Sequence, residues 1–225
     1  MGTKGAIGYY SQGENKITYN HYDSYPTGLG CYMVSYLESR NRDINILRKD
    51  FDSVEMVDEQ GVPSQRQIDI CRESGLIDLR VGDQSIEDWY CILRGAQGEL
   101  WQNVKCGFMI DSHTFMYNSL FCEWAYVINL DTEMLEIYKG YQKTKGQGRY
   151  SLARSNSADE DRIYFGVSLV GHSSITEITR QMMSKVEEFG ELPGTIELYN
   201  NQDERDDDTI SEIESLISQM LRSNE

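Results

Sequence analysis

Two short frames in the sequence place a histidine and an aspartate two positions apart. They are His21 with Asp23 and Asp111 with His113. On extended backbone, side chains two positions apart point the same way, so each frame could supply two ligands to one cation. If the fold brought the frames together, they would form a four-ligand metal site. Such pairs also arise by chance, and we therefore favour a protein without a cofactor.

Nucleophilic catalysis has one candidate at the start of the chain. A hydroxyl residue at the N-terminus can use the free α-amine as its base, and Thr3 has the right side chain. Removal of Met1 would leave Gly2 at the terminus, so Thr3 would keep a peptide nitrogen unless a second cleavage occurred. His21 and Asp23 are the other catalytic candidates. No GxSxG, Walker or GxGxxG motif is present, and we expect a binding protein before an enzyme.

The charge of the chain bears on its partners. Its 21 basic and 37 acidic residues give a net charge of −16, which repels nucleic-acid backbones and anionic membranes. A protein partner with a basic surface suits this charge. No apolar run reaches the roughly 18 residues of a membrane span. Five cysteines without CxxC spacing, and no signal-peptide pattern, predict a cytoplasmic protein.

Alternating and helical patterns predict an α+β fold. Aromatic and β-branched runs predict one hairpin at the start of the chain and another within CEWAYVINLDTEMLEIYKGY. Apolar residues at helical spacing predict helices between the hairpins and after them. We expect one domain over residues 1–190, with a mainly antiparallel sheet built from hairpins and flanked by helices. The predicted segments are strands in 5–10, 16–22, 121–141 and 164–170, and helices from Gly30, in 43–57, after Pro63, after Ser85 and in 174–190.

The C-terminal segment differs in composition from the rest. Residues 191–225 contain ten acidic and two basic residues, half of the net charge of the whole chain. We predict an acidic linker over 191–208 and an amphipathic helix over 209–223. The helix could pack on its own domain, mediate self-association or enter a groove of a partner. The candidate partner-binding residues are Asp203, Glu204, Asp206, Asp207, Asp208, Ile210, Ile213, Ile217 and Met220.

Three stretches carry a resemblance: GTKGAIGYY, KITYNHYDSYPTGLG and EWAYVINLDTEMLEIYKGY. They resemble a family of uncharacterised bacteriophage and bacterial proteins, over residues 2–30 and 121–170. The resemblance implies a phage accessory protein that binds and inhibits a host protein in the host cytoplasm, such as an anti-CRISPR-like defence target. The hairpin start is also similar to N-terminal-nucleophile hydrolases, which implies a sandwich fold and, as the alternative function, an amidohydrolase. Neither resemblance supplies catalytic residues.

Overall fold

A computed structural model gives the fold and describes residues 2–151, 154–155 and 164–192. The predicted helix 209–223, and all the candidate partner-binding residues between Asp203 and Met220, lie outside the described residues. So does most of the predicted linker. The described fold ends at Leu192, which is buried and donates its backbone N–H to the carbonyl of Val170.

Strands and helices alternate in groups along the chain. The strands are β1 (Gly5–Ser11), β2 (Glu14–Asn20), β3 (Glu55–Val57), β4 (Phe108–Ile110), β5 (Trp124–Asn129), β6 (Met134–Lys139), β7 (Arg154–Ser155), β8 (Tyr164–Phe165) and β9 (Ser168–Ser174). The α-helices are α1 (Cys31–Ser39), α2 (Ile44–Ser53), α3 (Gln65–Glu73), α4 (Trp89–Ile92), α5 (Leu100–Cys106) and α6 (Arg180–Phe189).

One five-stranded sheet organises the molecule. Its order is β2-β1-β5-β6-β9, with β1 and β5 parallel and every other neighbouring pair antiparallel. Two-stranded ladders join β3 to β4 and β7 to β8. The predicted α+β class with a mainly antiparallel sheet is therefore confirmed. A sandwich would require a second large sheet stacked on the first, and the described part of the chain contains none.

Both hairpins form where the sequence predicts them. In the first, Gln12 and Gly13 have φ values of 49° and 88°, the left-handed conformation that a tight two-residue turn requires. Gly8, in the middle of β1, lies against the neighbouring strand. A β-carbon at this position would collide with the carbonyl oxygen of Lys16, so only glycine fits.

The large sheet is buried on both faces. Residues Ile7 and Tyr9 of β1 point to one face, which α1, α2 and α6 cover, whereas Ala6 points to the other. Met116 and Tyr150, from the connecting segments, cover that second face. A third apolar cluster lies under α3 and α4, beside the ladder of β3 and β4. This smaller layer holds the segment 57–97 in place.

Two predicted helices have different limits from those expected. The helix predicted over 43–57 ends at Ser53, because Val54 is extended and the next three residues pair with β4. The helix predicted over 174–190 begins at Arg180, because β9 continues to Ser174 and Thr179 caps the helix. Its predicted end at Gly190 is correct, with φ of 81°.

Three further segment predictions differ in detail. The helix expected after Pro63 is α3, which Ser64 opens with a capping box. Ser85 does not cap the next helix, because Asp88 accepts the hydrogen bond from the N–H of Tyr90 and begins α4. The strand predicted over 164–170 is divided into β8 and β9.

A buried ion pair fastens the segment after β6 to the sheet. Glu136 is fully buried, and the two terminal guanidinium nitrogens of Arg149 donate to its carboxylate, at 2.6 and 2.7 Å. Asn129 and Tyr138 also donate to this carboxylate, at 2.7 and 2.8 Å. The guanidinium lies 3.7 Å from the ring centroid of Tyr10. Full hydrogen bonding of this kind is what allows a charge to be buried.

Candidate functional site

The loop from Tyr22 to Gly30 is a closely packed turn. Residues Pro26–Gly30 form one turn of π-helix, and the N–H of Leu29 donates to the carbonyl of Asp23 at 2.9 Å. The hydroxyl and N–H of Thr27 both donate to Glu187 of α6, at 2.6 and 2.8 Å. These contacts hold the start of α1 against α6 and agree with a structural role for the loop.

Thr3 and His21, two of the catalytic candidates, each have a hydrogen-bond partner nearby in the fold. Thr3 contacts the loop through its carbonyl, which accepts from the N–H of Ser24 at 3.2 Å. The Nδ1 of His21 is 2.7 Å from the hydroxyl of Tyr19. Partial burial, and the positive charges of Lys4 and Arg94, lower the pKa of His21, which favours the neutral imidazole.

The two histidine and aspartate frames remain separate local contacts. Asp23 is exposed and has a positive φ of 48°. The carboxylate of Asp111 accepts from both the ring Nδ1 and the backbone N–H of His113, at 2.7 and 3.1 Å. Burial alone would raise the pKa of Asp111, but these hydrogen bonds lower it. In residues 2–151, 154–155 and 164–192, no group of three or more potential ligands is placed to hold a metal.

The cysteines are packed as ordinary core residues. Cys31 is partly buried, and the other four are buried with free thiols. Burial raises the pKa of the thiols of Cys31 and Cys122, which disfavours a reactive thiolate. The thiol of Cys91 donates to the carboxylate of Asp88 at 3.0 Å. None of these arrangements is that of an activated nucleophile.

A cleft opens where β2, the 90–97 segment and the 110–118 segment meet. Its volume is about 460 Å³. Tyr19 lies against Phe115, with ring centroids 5.0 Å apart, and both rings line the cleft. Burial raises the pKa of Tyr19 to about 12. We call this space the cleft. It is lined by Thr18, Tyr19, Glu59, Tyr90, Leu93, Arg94, Ala96, Gln97, Asn103, Ile110, Asp111, Ser112, Thr114, Phe115 and Asn118.

Arg94 is the one cationic side chain among the described residues that line the cleft. Its guanidinium is 3.4 Å from the hydroxyl of Tyr22, and lies 5.8 and 5.5 Å from the ring centroids of Tyr22 and Tyr90. In the described part of the chain, no carboxylate lies within 4.0 Å of it. Aromatic neighbours therefore position this cation and leave its charge uncompensated at short range.

A second depression, of about 470 Å³, adjoins the cleft and shares Glu59 and Tyr90 with it. Its lining contains four carboxylates and, among the described residues, no lysine or arginine. We call it the acidic groove. It is lined by Glu59, Gln60, Gly61, Val62, Gly82, Asp83, Ser85, Glu87, Asp88 and Tyr90.

The carboxylates of the acidic groove have different roles. Asp88 is structural: hydrogen bonds from Cys91 and from backbone N–H groups keep its pKa low although burial opposes this. No side chain or backbone N–H among the described residues donates a hydrogen bond to Glu59. Burial and the negative charges of Asp88 and Asp58 raise the pKa of Glu59. A cation brought to the groove would relieve this repulsion.

Neither the acidic groove nor the cleft is among the sites predicted from the sequence. A signal for the groove exists, because residues 58–88 contain eight acidic and three basic residues. The cleft has no comparable signal, since Tyr19, Arg94 and Asn103 come from distant segments.

Comparisons with protein-family models, curated proteins and solved structures found no match. No helix in the described residues has the length and apolar character needed to cross a membrane.

Proposed function

We propose that this protein acts by binding a protein partner with a basic surface, and that the acidic groove is its docking site. The observation that carries the proposal is the uncompensated charge of the groove. Four carboxylates line it, and no described lysine or arginine does. Repulsion of this kind costs folding free energy, and a basic partner would turn it into attraction.

Exposed apolar side chains beside the groove support the same proposal. Val62 lines the groove and is 75% exposed, and Ile86, between two lining residues, is 40% exposed. Apolar area within a charged rim is the usual composition of a protein interface, because its burial supplies affinity while the charges select the partner. The area of these two side chains is small, so the charges would dominate recognition.

The family resemblance suggests what the partner does. We propose that it is a host protein, such as a component of a defence system, and that binding inhibits it. The acidic residues between Asp203 and Asp208 would add to the attraction, and the helix predicted over 209–223 would pack on its own domain, on a second copy or on the partner. Deletion of residues 203–225 separates these roles, because a recognition helix would affect binding without lowering the melting temperature.

Affinity capture from a bacterial lysate, with matched variants, tests the proposal. The groove variant carries Glu59→Gln, Asp83→Asn and Glu87→Gln, which remove three exposed carboxylates and leave the structural Asp88 intact. The control carries Glu73→Gln, Glu177→Gln and Glu188→Gln, three exposed carboxylates outside the groove, and has the same net charge. We expect a partner that wild type and control both retain and that the groove variant loses. Equal retention by all three proteins would contradict the proposal.

The amidohydrolase alternative has its own test. An N-terminal nucleophile requires a free amine on the residue that attacks, so a mature chain beginning at Thr3 would be necessary. Intact mass measurement distinguishes this chain from one that has lost Met1 alone. We expect Gly2 to be retained. A mature chain that begins at Thr3 would support the amidohydrolase alternative.

A further inference from the structure

The cleft contains a buried acceptor to which no described residue donates. Asn103 is only 2% exposed, and its Nδ2 donates to the carbonyl of Phe108 at 3.0 Å. This hydrogen bond fixes which way the amide points. Its Oδ1 accepts no hydrogen bond from any described residue, although buried polar atoms normally have a partner. A ligand with an N–H group would satisfy it.

The cleft also contains a cation, Arg94, that has no carboxylate within 4.0 Å among the described residues. The guanidinium of Arg94 is held by the hydroxyl of Tyr22 and by two aromatic rings, with no described carboxylate within hydrogen-bond distance. A guanidinium fixed in this way can bind a carboxylate or phosphate through two parallel hydrogen bonds. A ligand with both an anionic group and an N–H donor would satisfy both groups.

The charge of the lining decides between the two anions. Besides Arg94, the ionised groups that line the cleft are Glu59 and Asp111, so its net charge is negative. A phosphate with nearly two negative charges would meet one cation and two carboxylates. A zwitterion carries no net charge and offers an ammonium group to the negative side. The charges therefore favour a carboxylate with an ammonium group over a phosphate.

We propose that the cleft binds a small zwitterion of the amino-acid class, with its carboxylate at Arg94 and its ammonium group donating to Asn103. A volume of about 460 Å³ leaves room for an apolar side chain against the rings of Tyr19, Tyr90 and Phe115. The cleft shares Glu59 and Tyr90 with the acidic groove, but binding of a small zwitterion does not depend on a protein partner, so either proposal can fail without the other.

Calorimetric titration of the full chain with L-phenylalanine and L-leucine tests the assignment. Three further probes separate its parts: N-acetyl-L-phenylalanine lacks the ammonium group, L-phenylalaninamide lacks the carboxylate, and adenosine monophosphate supplies a phosphate. We expect at least one free amino acid to bind and the two blocked forms of phenylalanine to bind about tenfold more weakly or worse. No binding of either amino acid at millimolar concentration would overturn the proposal, as would tighter binding of the phosphate.

A variant tests the role of Arg94 directly. Arg94→Gln should weaken amino-acid binding about tenfold and leave the already weak binding of L-phenylalaninamide unchanged, because that probe has no carboxylate to lose. Arg80→Gln is the control, since Arg80 is exposed and contacts Asp78 outside the cleft. Equal losses for both probes would overturn the assignment. If Arg94→Gln does not fold, the probe series on the wild-type chain still decides the outcome.

Discussion

Replacing Arg149 by methionine should destabilise the protein strongly. Its side chain is 6% exposed, and that of its partner Glu136 is 0% exposed. Methionine removes the charge and both short hydrogen bonds to the carboxylate of Glu136, which stays buried beside the Asn129 and Tyr138 donors. Loss of one partner of a buried pair costs about 3–5 kcal/mol. For a chain of this size we expect the melting temperature to fall by about 6–20 °C.

Thermal unfolding followed by circular dichroism measures this effect. The control is Arg72→Met, because the pair of Arg72 with Asp69 is also close, at 2.8 Å, but about half exposed on both sides. An exposed pair contributes at most about 1 kcal/mol, so this control should melt within a few degrees of wild type. If both variants had the same melting temperature, burial would not explain the contribution of the Arg149 pair to stability.

A double variant separates the loss of attraction from the burial of an unpaired charge. Glu136→Leu combined with Arg149→Met removes both charges and leaves apolar side chains at both positions. It should be more stable than Arg149→Met alone, because no uncompensated carboxylate remains in the core. A double variant less stable than the single variant would refute this reasoning.

Three further predictions concern the sheet and the cleft. Gly8→Ala should cost about 3 kcal/mol by urea unfolding, because the new β-carbon collides with the carbonyl oxygen of Lys16; an unchanged midpoint would contradict this. Lys16→Met should cost about 2–4 kcal/mol in the same assay, since the carbonyls of Phe51 and Val54 lose their donor; a change below 1 kcal/mol would be contrary to it. Absorbance titration of wild type against Tyr19→Phe should place the Tyr19 transition near pH 12. The free energy of unfolding should fall as pH rises from 10 to 12, because Tyr19 loses its proton first in the unfolded state. A transition near pH 10 would show that the ring is not desolvated.

The hairpins were predictable because their pattern is local. Successive side chains of β5 and β6 point to opposite faces of the sheet, and the residues of the turn between the two strands belong to the same short stretch of sequence. The extent of the helices was less predictable. The end of α2 depends on pairing of β3 with β4, about fifty residues later, and no local pattern records that contact.

The candidate sites were less predictable than the fold. The residue types and spacing of His21 and Asp111 predict a metal or catalytic site, yet each of these side chains forms a hydrogen bond with a residue two positions away. The cleft depends on Arg94 and Asn103 meeting β2, which only the tertiary fold determines. The excess of acidic residues in 58–88 indicates a negatively charged surface in that segment. The sequence does not show that Asp88 is hydrogen-bonded in the groove, because this depends on the packing around it.

The salt dependence of binding to the captured partner tests the central claim most directly. The dissociation constants of wild type, the groove variant and the control are measured at low and at high ionic strength. We predict that wild type and control weaken together as salt screens the groove, and that the groove variant binds about tenfold more weakly at low salt, with a flatter dependence. Equal weakening of the groove variant and the control would show that only net charge matters, and an affinity independent of salt would contradict docking through the acidic groove.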